Sequence, residues 1–297
     1  MQVTRGNLTT LGVAFNAAFR QGLDQAPSQY ERIATVVNST TASNEYGWLG
    51  KFPGMREWIG DRVINGVATH GYTIKNKPYE LTVGVGRDDI EDDNIGIYTP
   101  MMQNMGESAG AQPDQMTFGL LKSGASSLCY DGQNFFDTDH PVLDAAGKEV
   151  VQSNLDASGN GPFWYLLCTK RPLKPLIFQN RKAPQFVSMD TETDEAVFSR
   201  KEFRYGVDCR RNVGYGFWQM AYASNSPLDA QNLQAAYAAF TERTGDHGRP
   251  LGLVPDLLVV RPGQKFKAAE IVTAAQIAGT DNVMKGLVDV LDSAWLI

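Results

Sequence analysis

The sequence is poor in the side chains that most chemistry requires. Among 297 residues there are three cysteines, Cys129, Cys168 and Cys209, and three histidines, His70, His140 and His247. The cysteines are far apart and form no CxxC pair, so no zinc ribbon or dithiol motif is built locally. An odd number of thiols without a secretory signal reads as reduced, mostly buried cysteines. No GxSxG elbow and no HExxH helix occurs. No run of about eighteen apolar residues is present to span a bilayer. The opening Met1-Gln2-Val3-Thr4-Arg5-Gly6 lacks the apolar core of a signal peptide, so export by that route is not expected. Positive charge is not in excess either. A formal charge of −6 and a pI near 5.2 argue against a broad basic surface gripping nucleic acid.

What is present is the composition of a folded chain. Hydrophobic residues make up 42% and charged ones 20%, which argues against global disorder. The length suits one large domain or two of ordinary size. The 29 glycines follow no collagen period and predict many turns.

The first segment places Leu11, Phe15, Ala18, Phe19 and Leu23 on one helical face after Thr9-Thr10, a plausible cap. Gln25-Ala26-Pro27-Ser28 should end that helix. Trp48, Phe52, Pro53, Met55, Trp58 and Ile59 then form an aromatic patch broken by glycines. Gly71-Tyr72-Thr73-Ile74 and the alternating Tyr79-Glu80-Leu81-Thr82-Val83-Gly84-Val85 read as two strands. Lys75-Asn76-Lys77-Pro78 lies between them as a turn, which predicts a long hairpin that leans on another molecule. Arg87-Asp88-Asp89-Ile90-Glu91-Asp92-Asp93 suits a helix start, where the macrodipole is positive. Helix is expected over 88–124, with Pro100 and Pro113 predicting kinks or restarts.

From Gly124 onward strand and loop signals dominate. Leu128–Gly132 reads as a strand entering a turn, Asp137–Pro141 as a loop, and Phe163–Leu167 and Leu176–Phe178 as buried strands. Residues 203–219 alternate again. Ser226-Pro227-Leu228-Asp229 reads as cap, first-turn proline and acidic third position of a helix carrying Leu233, Ala236, Tyr237 and Phe240. Leu257–Val260 is a further buried strand. It turns through Arg261-Pro262-Gly263 into a helix carrying Phe266, Ala269 and Val272, and Leu287–Leu291 closes the chain as strand. The class is α+β, without regular βαβ alternation.

Candidate chemistry is thin. Gly84-Val85-Gly86 lacks the third glycine of a dinucleotide turn, because Asp89 stands there among further acidic residues. Gly119–Gly124 has P-loop spacing, but Ala125 replaces the lysine. Asp137, Asp139 and His140 could hold a divalent ion or place a general base. The plainer reading is a turn whose carboxylates bond local amides. No cofactor, no metal site and no enzyme is expected.

Pieces that cannot bury themselves, projecting from a compact body, are what an assembling subunit needs. The ordered set Tyr79–Val83, Arg87–Asp93, Phe118–Leu121 and Tyr130–Pro141, followed by Arg171–Gln179 and Asn212–Trp218, resembles the major head subunit of Mu-like phages and prophages over nearly the whole chain. The resemblance implies the Hong Kong 97-type capsid fold, with N-terminal arm, extended β-hairpin loop, spine helix, and peripheral and axial domains. It implies an arm over 1–44, an extended loop over 45–86, spine helix and peripheral strands over 87–225, and a mostly axial part over 226–297. The implied function is a virion subunit, made in the host cytoplasm, that assembles into pentamers and hexamers of an icosahedral shell around double-stranded DNA. Its implied partners are itself, scaffolding and portal proteins, and DNA by weak contact only; no membrane partner is implied. Intersubunit contacts are expected at Trp48, Phe52, Trp58, Lys75, Asn76, Lys77, Arg87, Asp88, Asp89 and Glu91. Some relatives cross-link through Lys and Asn side chains, and Lys75, Asn76 and Lys77 alone do not establish that chemistry. The rival readings are a hydrolase using Asp137, Asp139 and His140, and a tail-tube or decoration protein of the virion.

Overall fold

The computed structural model describes residues 2–47, 49, 71–92, 95–191, 193–277 and 279–297. Two sheets organise it. The first has the strand order Ala34–Asn38, Leu176–Met189, Glu202–Tyr215, Lys77–Gly86. Its central pair is an antiparallel hairpin in which Tyr215 faces Leu176 and, at the far end, Arg204 faces Met189. Leu176, Ile177, Phe178 and Gln179 are all buried, and the rest of that strand then alternates toward solvent. One strand therefore starts in the core and leaves it as a half-covered ribbon. Phe203, Tyr205, Val207 and Cys209 give the partner strand its covered face.

That face is covered by two helices, the arm helix Arg5–Gln25 and the long helix Tyr98–Lys122. Leu8, Leu11, Phe15 and Phe19 pack with Met102, Met105, Val85, Phe203 and Tyr205 in one cluster. The arm thus lies on its own subunit. Its cap is Thr4, whose Oγ1 accepts from Asn7 N at 3.3 Å. Thr9 and Thr10 lie inside the helix, their hydroxyls donating to the carbonyls of Arg5 and Gly6 four residues back. The expected Thr9-Thr10 cap lies five to six residues late, because the apolar face was counted from Leu11 whereas it begins at Leu8.

The second sheet has the order Asp289–Asp292, Leu257–Val260, Trp164–Leu167, Ala221–Ser224, Leu155–Asp156. Its two central strands are buried along their whole length. Trp164, Leu166, Leu258 and Val260 meet helices Ala230–Thr241 and Lys265–Thr273 through Leu233, Phe240, Ala268 and Ile271. Tyr165, Leu167, Leu257 and Val259 point the other way, toward Phe118, Leu121, Phe135 and Phe136. Covering on both faces is why these strands read as unbroken apolar runs. This sheet draws strands from both sides of residue 225.

Several expectations are corrected. Thr73–Lys75 pairs with Ser43–Glu45, and Lys77–Gly86 pairs with Glu202–Tyr215, so the two segments do not form a hairpin with each other. The expected helix over 88–124 is divided into a short helix Arg87–Glu91, a tight turn Ile95–Ile97 and the long helix from Tyr98, which runs unbroken through Pro113. Leu128–Gly132 is a turn with a single bridge, Leu128 to Asn134. His140–Leu143 pairs with Glu149–Gln152, so His140 and Pro141 at the end of the expected loop are strand. The cap of the Ala230–Thr241 helix is Asp229, which accepts from Asn232 N at 2.8 Å, so Ser226 and Pro227 precede it. In Lys265–Thr273 the inward residues are Ala268, Ile271 and Val272, while Phe266 is 84% exposed. The terminal strand is Asp289–Asp292.

Candidate functional site

Three places were marked by the sequence, and the fold treats each differently. At the aspartate–histidine loop, Asp137 accepts from Asn134 N (3.2 Å), Asn134 Nδ2 (3.1 Å) and Thr138 N (2.7 Å). Asp139 is exposed and His140 fully buried. The imidazole stacks on Trp218 at 3.9 Å, and its Nδ1 meets Asp131 Oδ2 at 2.7 Å. Cys129 Sγ donates to the other oxygen of Asp131 at 3.0 Å. Asp137, Asp139 and His140 are therefore not brought together. The partner of His140 is Asp131, a residue the sequence reading did not single out.

The electrostatics of this cluster are those of a core. Burial alone would raise the Asp131 carboxyl, but the hydrogen bonds from His140, Cys129 and Gln133 N outweigh it and hold it below its usual value. Burial, then the Asp131 charge, pushes the Cys129 thiol up. Burial likewise raises Cys168 and Cys209. A thiol so raised is a poor nucleophile. Donor atoms of Cys129, Asp131 and His140 lie within 4.8 Å of one another, the one such grouping among the described residues. The thiol donates to Asp131 and the imidazole is hydrogen-bonded to it, so the grouping is already closed by hydrogen bonds.

At the second place, the chain on either side of the undescribed residues 50–70 is held in a clamp. Ser43 faces Lys75, Glu45 faces Thr73, and Tyr46 N donates to Tyr72 O at 2.8 Å. Beneath lies a buried polar network. Tyr46 OH donates to Gln179 Oε1 (2.7 Å), and Gln179 Nε2 donates to Asn76 Oδ1 (2.8 Å) and Ile74 O (3.1 Å). Asn76 Nδ2 in turn donates to Ser39 Oγ and Thr41 O. Asn76 is 4% exposed, so it is withdrawn from the expected contact residues: its amide is used inside the chain. The polar stretch Lys75–Pro78 resembled a turn because it is a crossing between two ladders. Lys75 and Lys77 remain exposed. Trp48, Phe52 and Trp58 lie outside the described residues.

The third place is the acidic segment before the long helix. Arg87 Nε meets Glu91 Oε1 at 2.9 Å, and Tyr98 OH donates to Asp89 Oδ2 at 2.6 Å. Asp88 and Lys201 face each other at 3.9 Å in solvent, and Arg87 N donates to Lys201 O. The segment fastens the start of the long helix to the return of the hairpin.

A feature not anticipated from sequence is the seam between arm and long helix. A Cβ on Gly22 would stand 1.9 Å from Gln103 O, and one on Gly106 would stand 2.0 Å from Phe19 O. Backbones touch there, which only glycine permits. The signal was present as small residues four apart on both helices, Gly22 with Ala26 and Gly106 with Gly110. Below the seam the Asp114 carboxylate, buried within the long helix, accepts from Gln29 N at 2.9 Å and Tyr30 N at 2.7 Å.

An arm helix packed on the long helix and a clamp at Tyr46 and Tyr72, with the titratable cluster sealed in the core, suit contact rather than turnover. The fold is the Hong Kong 97-type fold of tailed-phage shell subunits. The chain is similar to a subunit of the procapsid of bacteriophage JBD30, with a TM-score of 0.85 and 52% identity over 99% of this chain and 100% of that one. The family model described as Mu-like prophage major head subunit gpT matches residues 8–296, and the chain belongs to that family. It is 45% identical to the major capsid protein of Escherichia phage Mu, over 100% of both chains. It is 46% identical to the Mu-like prophage FluMu major head subunit of Haemophilus influenzae, covering 91% of this chain and 90% of that one. It is a structural protein of the phage head, a virion component and not an enzyme. The hydrolase, tail-tube and decoration readings are set aside.

Proposed function

We propose that copies of this chain join into rings of five and six that close an icosahedral shell around double-stranded DNA. The clamped base of residues 46–72 carries this reading. Two chain ends held side by side at Tyr46 and Tyr72 over a buried polar network suit a segment that contacts a neighbouring copy. Lys75, Lys77, Arg87, Asp88, Asp89 and Glu91 lie around that base and the start of the long helix and form the near edge of the contact. Trp48, Phe52 and Trp58 are proposed as further contact residues. Phe198, 89% exposed on the short helix Glu195–Arg200 of the central hairpin's connection, offers a second apolar contact.

In this reading 1–44 is the arm, 45–86 the extended loop, 87–225 the spine and peripheral part, and 226–297 mostly axial with a return to the peripheral part. A scaffolding protein and a portal act during assembly. DNA is met only weakly, as a net charge of −6 favours. Each contact is weak after its entropy cost, but a subunit touching several neighbours gains from their multiplicity. Light scattering and electron microscopy across a dilution series, with and without scaffold, should show small species passing to capsomers and shells above a threshold. A discrete dimer at every concentration would refute the proposal.

A further inference from the structure

Among the described residues, eight buried side-chain nitrogen or oxygen atoms find no partner within the chain, and three residues carry four of them. They are His140 Nε2, Gln152 Oε1, and Nε and Nη2 of Arg243. These residues are tied together. His140 and Gln152 face each other across the antiparallel pair His140–Leu143 and Glu149–Gln152, so their side chains share a face. Gln152 Nε2 donates to Thr244 Oγ1 at 2.7 Å, next in sequence to Arg243. Arg243 Nη1 donates to Gln219 O (2.7 Å) and Ala221 O (2.8 Å), and Trp218, just before Gln219, stacks on His140.

Arg243 poses a charge problem. It is 4% exposed, and among the described residues no carboxylate lies within ion-pair distance of it. The rings of Phe240 and Tyr222 lie 4.7 and 5.6 Å from its guanidinium carbon. Two carbonyls take Nη1, which leaves the Nε–Nη2 edge. An isolated buried cation is costly, and arginine does not escape the cost by releasing its proton. On the other side of the His140 ring, Nδ1 meets the Asp131 carboxylate.

In the tautomer whose Nδ1–H points to Asp131, Nε2 is an acceptor. The unpartnered set is then two donors on Arg243 and two acceptors on His140 and Gln152. One water molecule accepts two hydrogen bonds and donates two, the complement of that set. An anion would suit the arginine edge but would oppose both lone pairs. It would also leave one cation against two negative charges. We propose that Arg243, His140 and Gln152 bind one internal water molecule, which links Arg243 through His140 to Asp131. The site joins the 140–152 hairpin to strand Ala221–Ser224 and to the end of helix Ala230–Thr241, so it brackets three segments of the core.

Cryo-electron microscopy of particles of the purified chain, at a resolution that shows ordered water, tests this directly. One peak is expected within about 3.2 Å of the arginine edge, His140 Nε2 and Gln152 Oε1. Side chains bonded directly to one another, with no peak, would overturn it. Replacing chloride by gluconate at constant ionic strength should leave the melting temperature unchanged, whereas stabilisation specific to chloride would make the ligand an anion. In a double-mutant cycle, Arg243→Met with Asp131→Asn should lose less melting temperature than the two single losses summed. Additive losses would break the link. If either variant fails to fold, the density of the unaltered chain decides.

Discussion

Gly106→Ala tests the seam between arm and spine. The added methyl would stand 2.0 Å from Phe19 O and 2.7 Å from Leu23 N, both backbone atoms that cannot rotate away. A carbon–oxygen contact needs roughly 3.3 Å, so the helices must part by roughly 1.3 Å at that point. A gap of that order forfeits at least a quarter to a half of the dispersion energy of each separated contact. The packing of Phe15 and Phe19 near Met102 and Met105 would loosen. Overpacking of this kind costs about 1–3 kcal/mol, offset by up to about 1 kcal/mol of helix propensity gained over glycine. Gly119→Ala is the control. It lies in the same helix with nothing within 4 Å of its Cβ position, so it should be neutral or stabilising. Thermal unfolding below the assembly threshold, with limited trypsin cleavage at Arg20, reads both effects. Gly106→Ala should melt earlier and lose its arm faster than either the parent or Gly119→Ala. Equal behaviour of the two variants would mean that the arm does not rest on the spine.

Asp114→Asn leaves Gln29 N and Tyr30 N with a weaker acceptor and should cost about 1–3 kcal/mol in denaturant titration, with faster proteolysis near residue 28. Burial raises the Asp156 carboxyl, but donors on Ser158, Ser226 and Ser224 outweigh it and bring it from 3.8 to about 2. A depressed carboxyl stabilises above its unfolded value, so this contribution should be lost as pH falls from about 4 to about 2. Solvent screening holds it to about 1 kcal/mol or less, and Ser158→Ala with Ser224→Ala should flatten that part of the stability–pH curve. His140→Ala should destabilise by removing a stacked, fully buried ring, while Asp139→Ala should stay within about 0.5 kcal/mol in the same melts. Replacing residues 50–70 by a short Gly-Ser link, keeping Tyr72, Ile74 and Asn76, should leave the melting temperature close to that of the parent and abolish shells in negative stain. Normal shells from that variant would remove the segment from assembly.

The local pattern of the chain determined much of this. The arm helix announced itself by the spacing of Leu11, Phe15 and Phe19, and the buried strands Trp164–Leu167 and Leu257–Val260 by unbroken apolar runs. The alternation of Phe203, Tyr205, Val207 and Cys209 marked a sheet face. Burial leaves such periodicities because a helix or strand exposes its sides at fixed intervals. Partner choice leaves no comparable mark. Tyr79–Val85 alternates equally well beside Thr73–Lys75 or beside Glu202–Tyr215, and only the tertiary structure selects the second. Phe266 and Ala268 both suit an inward position, and the docking angle of the helix sends the phenyl ring outward. The pairing of His140 with Asp131 rather than Asp137 or Asp139 depends on how the 129–140 segment folds back beneath Trp218. The backbone contact at Gly22 and Gly106 needs two helices, 84 residues apart in sequence, to meet at one depth. Sequence spacing sets which face an element buries, and only assembly of the core sets what it meets there.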